Sequence, residues 1–200
     1  MFNERAAWLE AERFQKLEDN LFMACSRPEH PLTIPALPGG ISTQHLFVVQ
    51  PDDLFGWYTE SFSASEHRQF FDFTPGQIRE AFNGSFDLSA PHDDDASLVL
   101  VADGQIIGFS FVRPRPDEAH LEMFGLHPAC RGRGLAKALL LRSMKIAFDQ
   151  SVRITLGVDA VNVPAVTLYE KVGFRQVSRM VVHAWKQSES MKADPGATSL

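Results

Sequence analysis

The stretch HPACRGRGLAKALL, His127 to Leu140, constrains this chain more than any other. Gly132 and Gly134 punctuate a cationic segment that runs straight into apolar residues at helical spacing, so it reads as a tight turn delivering the chain to a helix start. A helix start leaves backbone N–H groups unpaired and carries partial positive charge, and glycines let the backbone wrap closely around an anion. From Arg131 to Arg153 six basic residues stand against one acid, Asp149, in a chain whose formal net charge is −6. The expected ligand of the turn is therefore a phosphate or pyrophosphate.

Two familiar phosphate loops do not fit. A nucleotide P-loop ends in Gly-Lys-Ser/Thr, whereas this turn continues Gly134-Leu135-Ala136. A dinucleotide fingerprint needs a third small residue where Lys137 stands, within an early βαβ unit.

The surrounding pattern alternates strands and helices. Residues Asn3 to Cys25 are expected to form an amphipathic helix from the spacing of Phe14, Leu17, Leu21 and Ala24. Four prolines and two glycines between Ser26 and Gly40 then predict an extended linker, giving a boundary between an N-terminal arm (1–40) and a main domain (41–186). HLFVVQ, from His45, reads as the first strand of that domain. Two short helices follow, the second opened by a capping box of Thr74 and Gln77 with Pro75 at its first position.

Asp103-Gly104 between two β-rich runs predicts a type I′ hairpin. HLEMFGLHP is a further strand, in which Gly125 signals a bulge or a close approach to the backbone. After the turn come a helix from Gly134 to Phe148, the strand RITLGVDA, a helix from Asn162 to Gly173 and the strand FRQVSRMVVHAW. The polar tail, 187–200, is expected to be frayed.

Arg131-x-x-Gly134-x-Ala136, between strand and helix, resembles the Q/R-x-x-G-x-G/A signature of the GNAT N-acetyltransferase superfamily. Asn162-x-x-Ala165-x-x-Leu168-Tyr169-Glu170-Lys171-x-Gly173-Phe174 is similar to the second motif of that family, and the order of elements from Gln44 to Trp185 is similar to its core. LGVDAVN and LHPACRGRGL further resemble the carboxy-terminal domain of mycothiol synthase-like members, although 200 residues do not hold two such domains. The resemblance implies an α/β fold with a mixed, mostly antiparallel sheet flanked by helices, here with an N-terminal helical extension, and acetyl-CoA as acyl donor.

It also implies site residues. The pyrophosphate falls to the loop Arg131, Gly132, Arg133, Gly134, Leu135, Ala136 and Lys137, with Phe124, Gly125, Leu126 and Asn162 completing the cofactor cleft. Gly125 or Leu126 offers the backbone donor for the developing oxyanion, and Tyr169 matches the general acid that protonates the departing thiolate. An amine must lose its proton before attack, and at pH 7 an ordinary alkylamine lies about 3.4 units below its pKa. Strand alternation puts Phe124, Glu122 and His120 on one face, making Glu122 the candidate base, with His120 second and a mechanism without a protein base still open. Gly157 supplies no side chain where some family members keep their base.

Acceptor selection is expected between Trp57 and Phe73, where Phe62, Phe70, Phe71 and Phe73 accompany Glu60, Glu66 and Asp72 in an aromatic and acidic segment suited to a cation. The resemblance implies that the acceptor is a primary amine of a small molecule or peptide. Net acidity argues against nucleic acid, and no apolar run approaches the ~18 residues of a membrane span. Charges of both signs throughout the first nineteen residues disfavour a signal peptide and make the cytoplasm the expected compartment. Cys25 and Cys130 match no metal spacing, and His92-Asp93-Asp94-Asp95 reads as a hydrated loop. Two other readings of the chain are a non-catalytic acyl-CoA-binding module and an interaction protein built on the N-terminal helix, whose apolar stripe a second copy would cover in a homodimer.

Overall fold

The computed structural model describes residues 14–63, 74–87 and 89–185. Among the described residues seven strands form one sheet: β1 Phe14–Ser26, β2 Ile41–His45, β3 Leu98–Ala102, β4 Gln105–Pro114, β5 Ala119–Leu126, β6 Arg153–Asp159 and β7 Arg175–Trp185. Their order is β2-β3-β4-β5-β6-β1-β7, antiparallel everywhere except between β5 and β6. Among the described residues four α-helices accompany it: α1 Pro51–Ser63, α2 Pro75–Ser85, α3 Leu135–Gln150 and α4 Val163–Lys171.

The largest correction to the sequence reading concerns the N-terminal arm. Phe14–Ser26 is a strand, seated between β6 and β7, where Leu21, Met23 and Cys25 lie opposite Val158, Leu156 and Ile154. A helical and a strand period coexist in this segment. The strand period wins because the gap between β6 and β7 satisfies both backbone edges and buries Met23 and Cys25. The boundary at residue 40 is therefore not a boundary of the sheet, while the arm's first thirteen residues lie outside those described.

The proline-rich segment is extended, as its composition dictates, but it is packed. It spans from β1 near one end of the sheet to β2 at the other, with Leu32, Ile34 and Leu37 against the cores beside α3. Arg142 of α3 donates to the Pro35 carbonyl at 3.1 Å. This cover explains why α3 buries Leu139 and Leu141 as well as the Leu140, Met144 and Ala147 stripe.

HLFVVQ is also displaced. The strand ends at His45, and Leu46–Val48 forms a 3-10 turn whose Leu46 is wholly buried, so the apolar signal marked a core contact. The Asp103-Gly104 turn has φ of 51° and 76°, as type I′ requires. The Thr74/Gln77 capping box is formed in both directions.

The two faces of the sheet carry different cores. On one, α1 and α2 pack Leu54, Trp57, Tyr58, Phe82 and Phe86 against Val99, Phe109 and Phe111. On the other, α3 and α4 cover Leu121, Ile154, Leu156 and Met23, with Tyr169 and Phe174 at the α4 end. Phe111→Ala would remove a fully buried ring, a loss of about 3–5 kcal/mol.

Candidate functional site

The candidate site lies where β5 and β6 part. These parallel strands pair only at Ala119 with Ile154, His120 with Thr155 and Leu121 with Leu156. Beyond that, residues 122–126 and 157–159 have no strand pairing across the gap, although their outer edges remain bonded to β4 and β1. Both α3 and α4 begin at this open end, because each follows the C-terminal end of one of the two strands.

The turn into α3 has the geometry its glycines foretold. Gly132 and Gly134 adopt φ of 74° and 77°, and an added Cβ at either would meet open space. Ala138 N–H is the first helical donor to find a carbonyl, that of Gly134. Among the described residues, the N–H groups of Gly132, Arg133, Gly134, Leu135, Ala136 and Lys137 have no backbone acceptor. Six consecutive donors without a backbone acceptor and a helix dipole thus fall in one short stretch of chain, a combination that suits an anion such as pyrophosphate. Arg131 differs from its neighbours: its Nε donates to the Leu126 carbonyl at 3.2 Å, bracing the turn against β5.

Tyr169 and Phe124 meet edge-on, ring centroids 6.3 Å apart, and Tyr169 also packs edge-on to Phe174. Tyr169 is 6% exposed, and burial pushes its phenol above the ordinary value, keeping it protonated. Asn162 caps α4, its Oδ1 accepting from the Ala165 N–H at 3.3 Å.

The alternation expected for β5 is broken. A bulge opposite Phe111 and Val112 pairs them with Met123 and Leu121, leaving Glu122 as the extra residue. Phe124 consequently faces the α3 side, whereas Glu122 and His120 lie on the α1 side, so the three do not share one face. Glu122 Oε2 stands 3.8 Å from Arg113 Nε and 4.0 Å from His120 Nε2. Arg113 is itself fixed by the carbonyls of Ser85, Asp87, Ala90 and Pro91 and by the Phe111 ring. His120 Nδ1 is 2.9 Å from Thr155 Oγ1, which donates to Glu118 Oε1 at 2.8 Å. Burial, followed by the Arg115 charge and opposed by Glu118, pulls His120 down to about 4, so its ring is neutral near pH 7.

Of the two readings offered for Gly125, the close approach holds and the bulge does not: Gly125 pairs regularly with Phe109, and the bulge falls at Glu122. A Cβ there would sit 2.9 Å from Trp57 Cη2. The helix carrying Trp57 also brings Glu60 within 3.6 Å of His127 at the start of the signature turn. Residues 64–73, which hold Glu66, Phe70, Phe71, Asp72 and Phe73, lie outside those described. The His92–Asp95 loop is a capped turn in which Asp93 accepts from Ala96 and His92 pairs with Asp94. Among the described residues no group of three or more His, Cys, Asp or Glu could hold a metal, and no helix is long and apolar enough to cross a membrane.

Sequence reasoning passed over Arg113, Glu118 and Thr155. Thr155 alternates with the buried Ile154 and Leu156 on β6, which turns it to the opposite face. Its pairing with His120, however, depends on the register of two strands some thirty-five residues apart.

The profile of the Acetyltransferase (GNAT) family matches residues 52–174. This chain belongs to that family. It is 31% identical over 165 residues to a mycothiol acetyltransferase of Pseudarthrobacter chlorophenolicus, covering 76% of this chain and 48% of that protein. A mycothiol acetyltransferase of Kineococcus radiotolerans is 27% identical, with coverages of 90% and 56%. The chain therefore spans about half the length of these relatives. Among solved structures, a GCN5-related N-acetyltransferase from Sphaerobacter thermophilus superposes with a TM-score of 0.68 at 21% identity, covering 90% of this chain and 55% of that one, a likeness of fold.

Proposed function

We propose that this GNAT chain transfers an acetyl group from acetyl-CoA to a primary amine by direct attack within a ternary complex. The observation that carries the reading is the run of unpaired N–H groups at 132–137 beside the gap between β5 and β6. The run supplies donors for a pyrophosphate, while the unpaired strand edges suit an extended amide-bearing arm such as pantetheine. Acetyl-CoA, when bound, supplies the thioester.

The chain's own groups then divide the work. A backbone N–H of Gly125 or Leu126 meets the carbonyl oxygen as it gathers negative charge. Glu122, on the opposite face from α3, takes a proton from the incoming ammonium, directly or through water, and returns it to solvent. Tyr169 donates its proton to the departing sulfur and recovers the second proton lost by the acceptor nitrogen. The C–N bond forms as the C–S bond breaks, and one proton is released overall. The acceptor carried in the relatives' name, a mycothiol-type compound, enters here as one candidate among small primary amines.

The test is calorimetric titration with acetyl-CoA, followed by thiol release across an amine panel. Gly134→Glu adds a charged side chain in a left-handed conformation, where phosphate oxygens would lie. Affinity should fall at least about tenfold, roughly 1.4 kcal/mol. Unchanged affinity in a folded variant rejects the site, and tight binding without turnover on any amine leaves an acyl-CoA-binding module.

A further inference from the structure

Among the described residues, the partners for the Thr155 hydroxyl proton are acceptors: the Glu118 carboxylate at 2.8 Å and the Ala119 carbonyl at 3.4 Å. Neither can donate back. The Thr155 oxygen must therefore present a lone pair to His120 Nδ1 at 2.9 Å, and Nδ1 must carry the hydrogen. In a neutral ring that leaves Nε2 bare, and Nε2 faces Glu122 Oε2 across 4.0 Å. Two acceptors so placed have no hydrogen between them and are too far apart to bond. Their spacing fits one nitrogen that donates a separate N–H to each.

We infer that Glu118 and Thr155 are positioning residues that lock His120 as the Nδ1–H tautomer, so that Nε2 and Glu122 Oε2 form a two-point clamp for the ammonium group of the acceptor. The inference takes the amine as acceptor from the acetyl-transfer reading, and it assigns the substrate class by hydrogen-bond count. A primary ammonium offers three N–H groups, enough to satisfy both acceptors and still give up a proton to Glu122. A quaternary cation of the same charge offers none. His120 acts here as an acceptor and not as the base, consistent with a ring that burial keeps neutral. The charged groups around the clamp hold it in this state. Arg113 lies beside Glu122, while Arg115 and Arg153 stand 3.9 and 3.8 Å from Glu118, so the carboxylates are balanced without a proton on His120.

The experiment is nitrogen NMR on full-length protein labelled at histidine. At pH 7 the His120 spectrum should show a protonated Nδ1 and a bare Nε2. An Nε2–H tautomer or an imidazolium in the wild type overturns the inference. Methylammonium chloride, titrated as the minimal primary amine, should shift the Nε2 resonance, whereas tetramethylammonium at equal concentration should leave it in place. Equal responses to both, or none to either, overturn the clamp. Thr155→Val keeps the shape and removes the hydroxyl. The ring should then revert to the Nε2–H tautomer and the methylammonium midpoint should rise roughly tenfold or more, with Thr155→Ser restoring both. A Thr155→Val protein that folds and keeps the wild-type tautomer and midpoint overturns the positioning role. If it does not fold, the wild-type tautomer and the two titrations still decide the question. None of these readouts needs acetyl-CoA, so failure of acetyl transfer and failure of the clamp are separate outcomes.

Discussion

Tyr169 illustrates how much one side chain owes to its surroundings. A free phenol already has a pKa near that of an amine, and the enclosure by Phe124 and Phe174 raises it further. Tyr169 therefore remains protonated throughout the neutral and mildly alkaline range, as a proton donor must be. Tyr169→Phe keeps the ring and its packing, so acetyl-CoA affinity should be nearly unchanged while turnover falls ~10²- to 10⁴-fold. Steady-state rates paired with calorimetry check both halves, and wild-type turnover in the variant removes Tyr169 from the mechanism. Tyr169 entered as a candidate because the sequence around it resembles the family's second motif. Thr155 did not, because a threonine among β-branched neighbours on a strand carries no mark of its partner.

At the scale of elements, β1 is the part that matters most for what can be removed. It holds β6 on one side and β7 on the other. Asp19 fastens the second seam through a two-pronged pair with Arg179, both contacts at 2.6 Å. A chain lacking residues 1–26 exposes two strand edges at once and removes Met23 and Cys25 from the core. It should be insoluble or lose its cooperative melt. A soluble truncated protein with the wild-type melting temperature would mean that β1 is an accessory. The helical expectation for this segment failed for an identifiable reason. Its charges and leucines fit both periods, and the decision came from a gap that exists only once β6 and β7 are in place.

For the whole molecule, proton linkage sets a window of maximal stability. His120 has a folded value of about 4 against an ordinary 6.5, so between these the unfolded chain binds more protons. Its contribution is complete above pH 6.5 and shrinks as pH falls toward 4. Asp19, held down to about 2 chiefly by its hydrogen bonds to Arg179, contributes above pH 3.8 and loses that contribution as pH falls through about 2. At the other end, the buried phenols of Tyr58 and Tyr169 resist ionisation, and stability declines as pH rises above 10. The Cys25 thiol, raised by burial from its ordinary 9.0, adds a decline that begins above pH 9, so thermal melts should be nearly flat from pH 6.5 to 9 and fall on either side. His120→Asn should flatten the step between pH 4 and 6.5. A variant whose melting temperature still follows the wild-type curve there would assign that step to other groups.

What the sequence determined by itself is the machinery confined to consecutive residues: the glycine turn with its free donors, the capping box, the Asp103-Gly104 hairpin and the order of elements around them. These follow from backbone sterics and local hydrogen bonding, which neighbours along the chain settle among themselves. Tertiary structure decided the rest. It made residues 14–26 a strand, drew the proline segment across α3, turned Glu122 and His120 away from Phe124 with a bulge, and brought Thr155 to His120. Each depends on register and on gaps between distant segments, where the free energy of pairing and burial outweighs a local preference that was nearly balanced.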